Sequence, residues 1–529
     1  MTTPLSARRS GLLVPLFSAP SSASWGIGDI GDIAPICAWL AGAGQRILQL
    51  LPLNEMAPGT QSPYSAMSGA ALDPIYIRVP AVPEYIANGG DATLSREDRD
   101  TLARARASNR VEYTTVRALK DRALRAAFDR FLADEWTPCT ARGRALAAYV
   151  SREAWWLDDY ALFRALHARE EGRAWVDWPA ALRDREPAAL ASAERDLERE
   201  VRFHQYLQWL AGTQWDEARA AASTFGVALF GDLPFMVDLH SADVWAHQEQ
   251  FHLDRSVGVP PDAFSATGQD WGMPAYNWDA LATADFSWLR LRARRSADLF
   301  DGYRVDHLVG FYRTYSRLRE DRSDPRFSPD EEEAQRRLGE QVLAVFREPG
   351  AEIVAEDLGT VPTFVRDSLT RLHVPGFRVF RWERDWDVER APFRNPAEYP
   401  AISVATSGTH DTEPLAAWWD AADADVRAAV ASIPALRAEA GDLDLTTAPF
   451  TPLVRDLLAR LLFASGSNIL LLPIQDVFGW HDRINEPATV NDINWSYRLP
   501  WPIDAFDAQA DARERQATLR RWANESGRR

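Results

Sequence analysis

Short apolar runs that end in polar or acidic residues recur along the chain, and longer stretches with helical spacing separate them. Each run has the length of one buried strand, because such strands are continuous apolar segments of about 4–8 residues. Strands that alternate with helices are typical of a parallel α/β fold. We predict an α/β (β/α)8 TIM barrel with strands at Arg46–Leu53, Leu72–Val79, Val227–Val237, Tyr303–Leu308, Ile353–Leu358, Phe377–Trp382, Ile402–Ser407 and Asn468–Ile474.

One long stretch departs from this alternation. Residues from about 95 to 225 are rich in Ala, Arg, Leu and Glu. Their apolar positions repeat with helical spacing, so that Leu124, Phe128 and Phe131 share one helix face. We expect a helical insertion at about 95–225 within a single catalytic barrel domain that spans residues 1–529.

Composition and charge limit the classes of partner that this protein can bind. The chain has 529 residues, and 59 Lys and Arg stand against 76 Asp and Glu, which gives a net charge of −17 at pH 7. A surface that binds nucleic acid is basic, so we expect no nucleic-acid partner. No apolar run reaches the roughly 18 residues of a membrane-spanning helix, so we expect no membrane partner. The sequence leaves the oligomeric state open.

Signals for a metal, a cofactor or export are weak. The nine His and the two cysteines, Cys37 and Cys139, show no HExxH or CxxC spacing, so we expect no metal site. Gly26–Gly31 fits GxGxxG but lacks a preceding strand and a βαβ frame, so we expect no nucleotide cofactor and no other cofactor. Arg8 and Arg9 precede a six-residue apolar run that contains a proline. An export signal needs about 7–15 apolar residues, so we expect a cytoplasmic protein.

Aromatic residues are numerous, with 21 Trp, 13 Tyr and 23 Phe. Large cores use aromatic rings for packing, which is one explanation. Rings with polar edges also suit sugars, because the C–H groups on a sugar face pack against the ring. Composition alone leaves both interpretations open.

Acidic residues follow three of the predicted strands. Arg304 and Asp306 end one strand, and they point to the same face because side chains alternate along a strand. An arginine beside a carboxylate favours the ionised form, and the active site of such a barrel lies at the carboxyl ends of its strands. Asp306 therefore has the character of a nucleophile. A purely structural Arg–Asp pair is the alternative.

Two further acids stand at comparable positions. Glu356 directly follows an apolar strand, and apolar surroundings would raise its pKa so that it acts as an acid at neutral pH. A helix N-cap is the alternative role, and Asp357 fits that role better. Asp411 follows another strand next to His410, and such a pair is often structural. Three acids at three strand ends of one barrel nevertheless indicate an active site.

Retaining glycoside chemistry uses two carboxyl groups, one ionised and one protonated. The first attacks the anomeric carbon, and the second protonates the leaving oxygen and later deprotonates the acceptor. A third carboxylate can bind sugar hydroxyls and favour the distorted, oxocarbenium-like state. The acids of this chain fit that set of roles.

From about Gly11 to Trp501 the chain resembles the 4-alpha-glucanotransferases (amylomaltases, disproportionating enzymes) of glycoside hydrolase family 77, which are related to the α-amylases. Each matching motif alone is moderate evidence, and their shared order makes the resemblance specific. The motifs are Ser24–Asp29, Ser62–Tyr64, Gly231–Pro234, Ser241–Trp245, Gly258–Ser265, Gly268–Gly272, Arg304–His307, Ala355–Gly359 and Gly408–Asp411.

The resemblance implies transfer of a segment of an alpha-1,4-glucan to the 4-hydroxyl of another glucan or of glucose, through a covalent glycosyl-Asp306 intermediate. Carried over by motif, Asp306 is the nucleophile, Glu356 the general acid/base and Asp411 the transition-state stabiliser. The substrate-binding residues that the resemblance implies are Tyr64, Asp232, Asp262, Gln269, Trp271, Arg304 and His410.

Three departures from the family pattern bear on substrate length and not on the three acids. His240 stands where relatives carry aspartate, Thr412–Pro414 differs from the usual sequence after the third acid, and the loop between His252 and Gly258 is short. The segment Gly258–Gly272 is expected to cover the donor site as a lid.

Two other functions compete with transfer. An alpha-1,4-glucan hydrolase of the α-amylase type would use the same three carboxylates with a wetter acceptor site. A glucan-binding protein without activity would lack at least one catalytic acid, whereas this chain has all three.

Overall fold

The strands of this protein form two sheets. The computed structural model describes residues 7–57, 59–261, 267–389, 391–487, 489 and 491–528. Within these ranges the strands are β1 (Arg9–Leu13), β2 (Ile47–Gln49), β3 (Ala228–Leu233), β4 (Phe251–Val259), β5 (Gln269–Tyr276), β6 (Gly302–Val305), β7 (Thr314–Leu318), β8 (Arg326–Ser328), β9 (Glu352–Ala355), β10 (Gly376–Val379), β11 (Ser403–Thr406) and β12 (Ile469–Pro473).

Eight of these strands form a closed parallel barrel, which confirms the predicted fold class. Their order around the barrel is β1, β2, β3, β6, β9, β10, β11 and β12, and β12 pairs with β1 to close it. A separate buried apolar cluster fills the inside, so the barrel is a packed core and polar groups can gather only at its ends. Its members are Ile47, Phe230, Val354, Phe377, Val379, Val404, Ile469 and Leu471.

The strand predicted at Leu72–Val79 is wrong. This segment begins with a short 3-10 helix at Pro74–Tyr76. Pro74 has no N–H to donate to a sheet, and the side chain of Asp73 accepts a hydrogen bond from the Ile75 N–H at 2.9 Å. Both features favour a turn over a strand.

Strand β1 completes the barrel in its place. It pairs with β2 on one side and β12 on the other. Arg9, Ser10 and Gly11 interrupt its apolar pattern, which is why the sequence did not predict it. Gly11 is required here because a Cβ at this position would lie 2.2 Å from the backbone oxygen of Ile47.

Helices cover the outside of the barrel and form the long insertion. None of those in the described residues is long and apolar enough to cross a membrane. The α-helices are α1 (Ile33–Gly42), α2 (Pro83–Ala87), α3 (Arg96–Ala107), α4 (Tyr113–Phe131), α5 (Ala141–Arg169), α6 (Ala180–Arg183), α7 (Pro187–Asp196), α8 (Glu198–Thr224), α9 (Ala242–Ala246), α10 (Trp278–Thr283), α11 (Ser287–Leu299), α12 (Val309–Tyr312), α13 (Glu332–Arg347), α14 (Thr363–Arg371), α15 (Leu415–Ala421), α16 (Ala424–Ala431), α17 (Pro434–Ala440), α18 (Pro452–Phe463), α19 (Ile474–Phe478) and α20 (Ala510–Glu525).

Helices α3 to α8 lie between β2 and β3 in the sequence. The longest of them, α5 and α8, pack along each other. Leu124, Phe128 and Phe131 of α4 are buried together, and the Phe131 ring lies 4.9 Å from that of Tyr206 on α8. The insertion limits at about 95 and 225 stay a prediction.

A second, antiparallel sheet stands beside the barrel in the order β5, β4, β7 and β8. The segment from His252 to Gly258, expected as a loop, lies inside β4 instead. Strands β4 and β5 pair along their length, which makes this segment extended. The pair brings the chain that carries Gln269 and Trp271 back towards the barrel.

Candidate active site

The carboxyl ends of β6, β9 and β11 place three acids at the same end of the barrel. Asp306 directly follows β6, Glu356 directly follows β9, and Asp411 lies in the loop after β11. The Asp306 N–H donates to the backbone oxygen of Leu233 at 3.0 Å, and the Glu356 N–H donates to that of Val305 at 3.1 Å. The parallel ladder therefore continues to the first two acids and fixes their positions.

Arg304 joins Asp306 to Asp232. Its guanidinium Nη2 lies 2.8 Å from Asp306 Oδ1, and its Nη1 donates to both Asp232 oxygens at 2.8 and 2.7 Å. The register of β3 and β6 pairs Asp232 with Arg304. The side chain of Asp232 has no exposed surface, whereas that of Asp306 is 29% exposed. Asp232 thus lies on the buried side of Arg304, and Asp306 lies on its solvent-facing side.

Glu356 is partly buried at the end of β9. Burial raises the pKa of Glu356 to about 7, and the charge of Asp306 adds to this effect against the opposing influence of Arg304. The backbone N–H of His307 donates to Glu356 Oε2 at 2.7 Å. His307 adopts a left-handed backbone conformation with φ 43°. Glu356 can therefore carry a proton at neutral pH.

Asp411 is surrounded by donors. Burial alone would raise its pKa, but His410 and Asn485 together hold the pKa of Asp411 well below its usual range. Asn485 Nδ2 donates to Asp411 Oδ1 at 2.6 Å, and His410 Nε2 lies 3.3 Å from Oδ2. Arg483 donates to the backbone oxygen of Asp411 at 2.6 Å. This carboxylate therefore keeps its negative charge.

Tyr64 connects the two sides of the site. Its hydroxyl donates to Asp232 Oδ2 at 2.7 Å, and its ring stacks on that of His410 with the centroids 5.2 Å apart. The ring of Trp495 packs against both rings. Burial raises the pKa of Tyr64, and the neighbouring Asp232 raises it further. The phenol therefore stays a hydrogen-bond donor.

Gln269 and Trp271 reach the site from β5. The ring of Trp271 meets that of His307 edge-on, with the centroids 4.8 Å apart. Trp271 Nε1 donates to Gln269 Oε1 at 3.1 Å. These two residues thus lie beside the residue that follows Asp306. Asp262 is outside the described residues, and its role stays a prediction.

No site role was predicted for Asn485, Arg483 or Trp495, although all three contact predicted site residues. They lie between the barrel strand β12 and the end of the chain, in a polar stretch without apolar periodicity. Their position in the chain could have indicated a site role, because the segment after the last barrel strand must also begin at the carboxyl end of the barrel. Its polar residues were therefore candidates.

A model of glycoside hydrolase family 77, described as 4-alpha-glucanotransferase, matches residues 14–504. This chain belongs to the 4-alpha-glucanotransferase family. The matched range includes the three acids and all the implied substrate-binding residues, and it confirms the resemblance derived from the motifs.

Relatives of this family cover nearly the whole chain. The 4-alpha-glucanotransferase of Thermus thermophilus is 35% identical over 508 residues, 93% of this chain and 95% of that protein. That of Chlamydia pneumoniae is 31% identical over 498 residues, 93% and 91% of the two chains. The solved amylomaltase from Streptococcus agalactiae in complex with acarbose is 26% identical, with a TM-score of 0.83 over 98% of this chain and 99% of that one. This chain is therefore a retaining, glycosyl-transferring enzyme.

Proposed function

We propose that this enzyme cuts an alpha-1,4-glucan, holds the released segment on Asp306 and transfers it to the 4-hydroxyl of another glucan or of glucose. The contrast between two neighbouring acids carries this proposal. Arg304 orients Asp306 from 2.8 Å, while burial raises the pKa of Glu356 to about 7. A carboxylate nucleophile beside a protonated acid is the arrangement that retaining enzymes use.

In the first step, a carboxylate oxygen of Asp306 attacks the anomeric carbon of the donor. The bond from that carbon to the glycosidic oxygen breaks, and its electron pair stays on the oxygen. Glu356 gives its proton to this oxygen, so the reducing-end part of the donor leaves as an alcohol. The other part remains as an ester of Asp306.

In the second step, the acceptor takes the place of the departed alcohol. Glu356 is now ionised and removes the proton from the acceptor 4-hydroxyl. The acceptor oxygen attacks the anomeric carbon, and the bond to Asp306 breaks. Two inversions retain the configuration, and both carboxyl groups return to their starting states.

Asp411 is proposed to bind sugar hydroxyls and to favour the positively charged transition state. His410 and Arg304 support the sugar at the reaction centre, with Tyr64 as a neighbouring donor. Asp232 has both oxygens bonded to Arg304 and no exposed surface, so we assign it the positioning of Arg304 in place of direct contact with substrate. The contacts described above support these proposed roles.

Gln269, Trp271 and Asp262 are proposed to bind the glucan from the side of β4 and β5. The contact between the rings of Trp271 and His307 supports this assignment for Trp271. Transfer exceeds hydrolysis where an acceptor sugar is well bound and water is excluded. We therefore expect this side of the site to favour sugar over water, and the hydrolase alternative is not favoured.

Donor and acceptor are proposed to be maltooligosaccharides, longer alpha-1,4-glucans or glucose. We also propose that the enzyme works in the cytoplasm. Cys37 is buried and Cys139 is exposed, and both are free thiols. Free thiols of this kind fit a reducing compartment.

Incubation with maltotriose alone tests the activity. We expect glucose and longer maltooligosaccharides to form together while the total number of reducing ends stays constant, because transfer conserves ends. A steady rise in reducing ends with only shorter products would instead establish the hydrolase.

The covalent step needs its own experiment. In Glu356→Gln, maltotriosyl fluoride can still react because fluoride leaves without a proton, whereas the second step lacks its base. We expect a maltotriosyl adduct on the peptide that contains Asp306, detected by mass spectrometry after digestion. The double variant with Asp306→Asn is the control. An adduct of equal yield in that double variant would contradict the assignment of Asp306.

A further inference from the structure

Large apolar side chains are exposed together in one short stretch of the described chain. Trp382, Trp386 and Val388 are 39%, 66% and 48% exposed. They lie in the segment after β10, which the mechanism above does not use. Grouped exposed indole rings are typical of a binding surface. We refer to residues 382–388 as the tryptophan loop.

The tryptophan loop stands between two catalytic loops. Strand β10 pairs with β9 and β11, the strands that precede Glu356 and Asp411. Just before the loop, Arg381 donates to the backbone oxygen of Ser407 at 3.2 Å and to Glu413 Oε1 at 2.8 Å. The tryptophan loop is therefore continuous with the rim of the active site.

Backbone hydrogen bonds hold the tryptophan loop in shape. The Asp385 N–H donates to the backbone oxygen of Pro392, and the Arg394 N–H donates to that of Glu383, both at 2.9 Å. Trp386 lies in the turn that the Asp385–Pro392 hydrogen bond closes. A preformed loop loses little freedom when a ligand binds, so its contacts contribute more fully to affinity.

Arg384 supports Trp386 from one side. Its guanidinium carbon lies 5.2 Å from the centroid of the Trp386 ring and 4.9 Å from that of Phe393. A guanidinium held between two rings fixes their orientation through the attraction of the cation to the ring faces. Trp386 remains mostly exposed despite this contact, so much of its ring surface can take a ligand.

The charges around Trp386 favour a ligand rich in hydroxyl groups. Asp387 follows it directly and Glu389 stands three positions after it, and both are exposed. Their carboxylates can accept hydrogen bonds from sugar hydroxyls. An apolar protein partner would have to bury both charges without such compensation, which costs free energy.

We propose that Trp386 is a stacking platform for a glucosyl unit of a long alpha-1,4-glucan, outside the sugars that contact the catalytic acids. The inference rests on the proposed function and adds a length preference to it. The C–H groups of a sugar face carry a slight positive charge and pack against the electron-rich ring. We place this platform beyond the reach of three glucosyl units at the reaction centre, so that it acts only on longer chains.

Trp386→Ala tests the platform when maltotriose and amylose are compared. We expect KM for amylose to rise about fivefold, the loss typical of one important contact. The kcat/KM for maltotriose should stay within about twofold of wild type. Trp386→Phe keeps a ring and should restore most of the amylose affinity. In a Glu356→Gln background, the Ala variant should also migrate faster in gels that contain amylose.

Phe225→Ala is the matched control, because Phe225 is a 37% exposed ring that precedes β3 at the other end of the barrel. It should leave the kinetics on maltotriose and on amylose unchanged. Unchanged amylose kinetics and migration in Trp386→Ala, or equal losses on both substrates, would overturn the inference. A wild-type dimer that Trp386→Ala dissociates would also overturn it and assign the loop to a second copy. If the wild-type enzyme does not disproportionate maltotriose, the proposed function fails instead.

Discussion

At the scale of single residues, neighbours decide what each acid can do. Glu356 and Asp411 are both partly buried at the same end of the barrel, yet their pKa values move in opposite directions. Glu356 lies near the charge of Asp306, which disfavours a second negative charge. Asp411 contacts His410 and Asn485, which stabilise one. Burial raises the pKa of both acids. It prevails at Glu356, whereas the contacts of Asp411 outweigh it.

The replacement Glu356→Gln removes the proton donor and keeps the shape of the side chain. We expect kcat/KM on maltotriose to fall about 10²–10⁴-fold, the usual contribution of a general acid. The initial reaction of maltotriosyl fluoride should fall far less, because its leaving group needs no proton. Glu333→Gln, on a 66% exposed side chain of α13, is the control. Equal losses on the two substrates would contradict the acid role.

The pH dependence follows from the same group. The first step needs protonated Glu356, whose pKa is raised to about 7. We therefore expect kcat/KM for maltotriose to fall as pH rises above about 7. Circular dichroism at each pH will separate this loss from unfolding. A profile that stays flat up to about pH 9 would refute the assignment.

At the scale of elements, one buried lysine fastens helix α4 to the turn that precedes the insertion. Lys120 on α4 is the only lysine of the chain and is 2% exposed. Its Nζ donates to the backbone oxygens of Ile75 and Ile77 at 2.5 and 2.8 Å. Burial lowers the pKa of Lys120 to about 8, against the opposing influence of Asp29. These oxygens belong to the turn that the sequence had predicted as a strand.

Lys120→Arg tests how closely this contact is packed. A guanidinium is larger and flatter than an ammonium, and the buried position leaves little room for it. We expect the free energy of unfolding in urea to fall by about 1–3 kcal/mol, as for other overpacked sites. Arg99→Lys, the reverse exchange at an exposed position of α3, should change it by less than about 0.5 kcal/mol. A Lys120→Arg variant as stable as wild type would show that the site tolerates either cation.

At the scale of the whole molecule, an ion pair spans the barrel at its other end. Arg9 begins β1 and Glu352 begins β9, 343 positions later in the chain. Arg9 Nη2 donates to both Glu352 oxygens at 2.7 Å, and both side chains are largely buried. The pair lies at the amino ends of these strands, away from Asp306, Glu356 and Asp411 at the carboxyl ends. It therefore contributes to stability and not to chemistry.

Glu352→Gln tests whether the pair affects stability without affecting catalysis. It leaves the Arg9 charge buried without its partner, which typically costs about 3–5 kcal/mol. We expect that loss in urea unfolding, with kcat/KM for maltotriose near the wild-type value well below the unfolding midpoint. Glu348→Gln breaks an exposed pair with Arg290 and should cost about 0–1 kcal/mol. Equal costs for the two variants would contradict the role of the buried pair.

The sequence by itself determined the barrel class, the family and the acids at the barrel rim. Seven of the eight predicted runs overlap barrel strands. These features are local, because an apolar run followed by a polar residue reports a buried strand and its end wherever it occurs. The order of the motifs is also read directly from the sequence, and it was sufficient to recognise the family.

Only the tertiary structure decided which segments meet. It placed β1 in the barrel and the segment at Leu72–Val79 outside it, since strand pairing depends on partners that lie elsewhere in the chain. It also brought Asn485 to Asp411 and placed Asp232 behind Arg304. The charge states of Glu356 and Asp411 depend on such long-range contacts and on the exclusion of water. Neither the contacts nor the exclusion of water is encoded within one short stretch of sequence. The two acids therefore acquire different pKa values only in the folded protein.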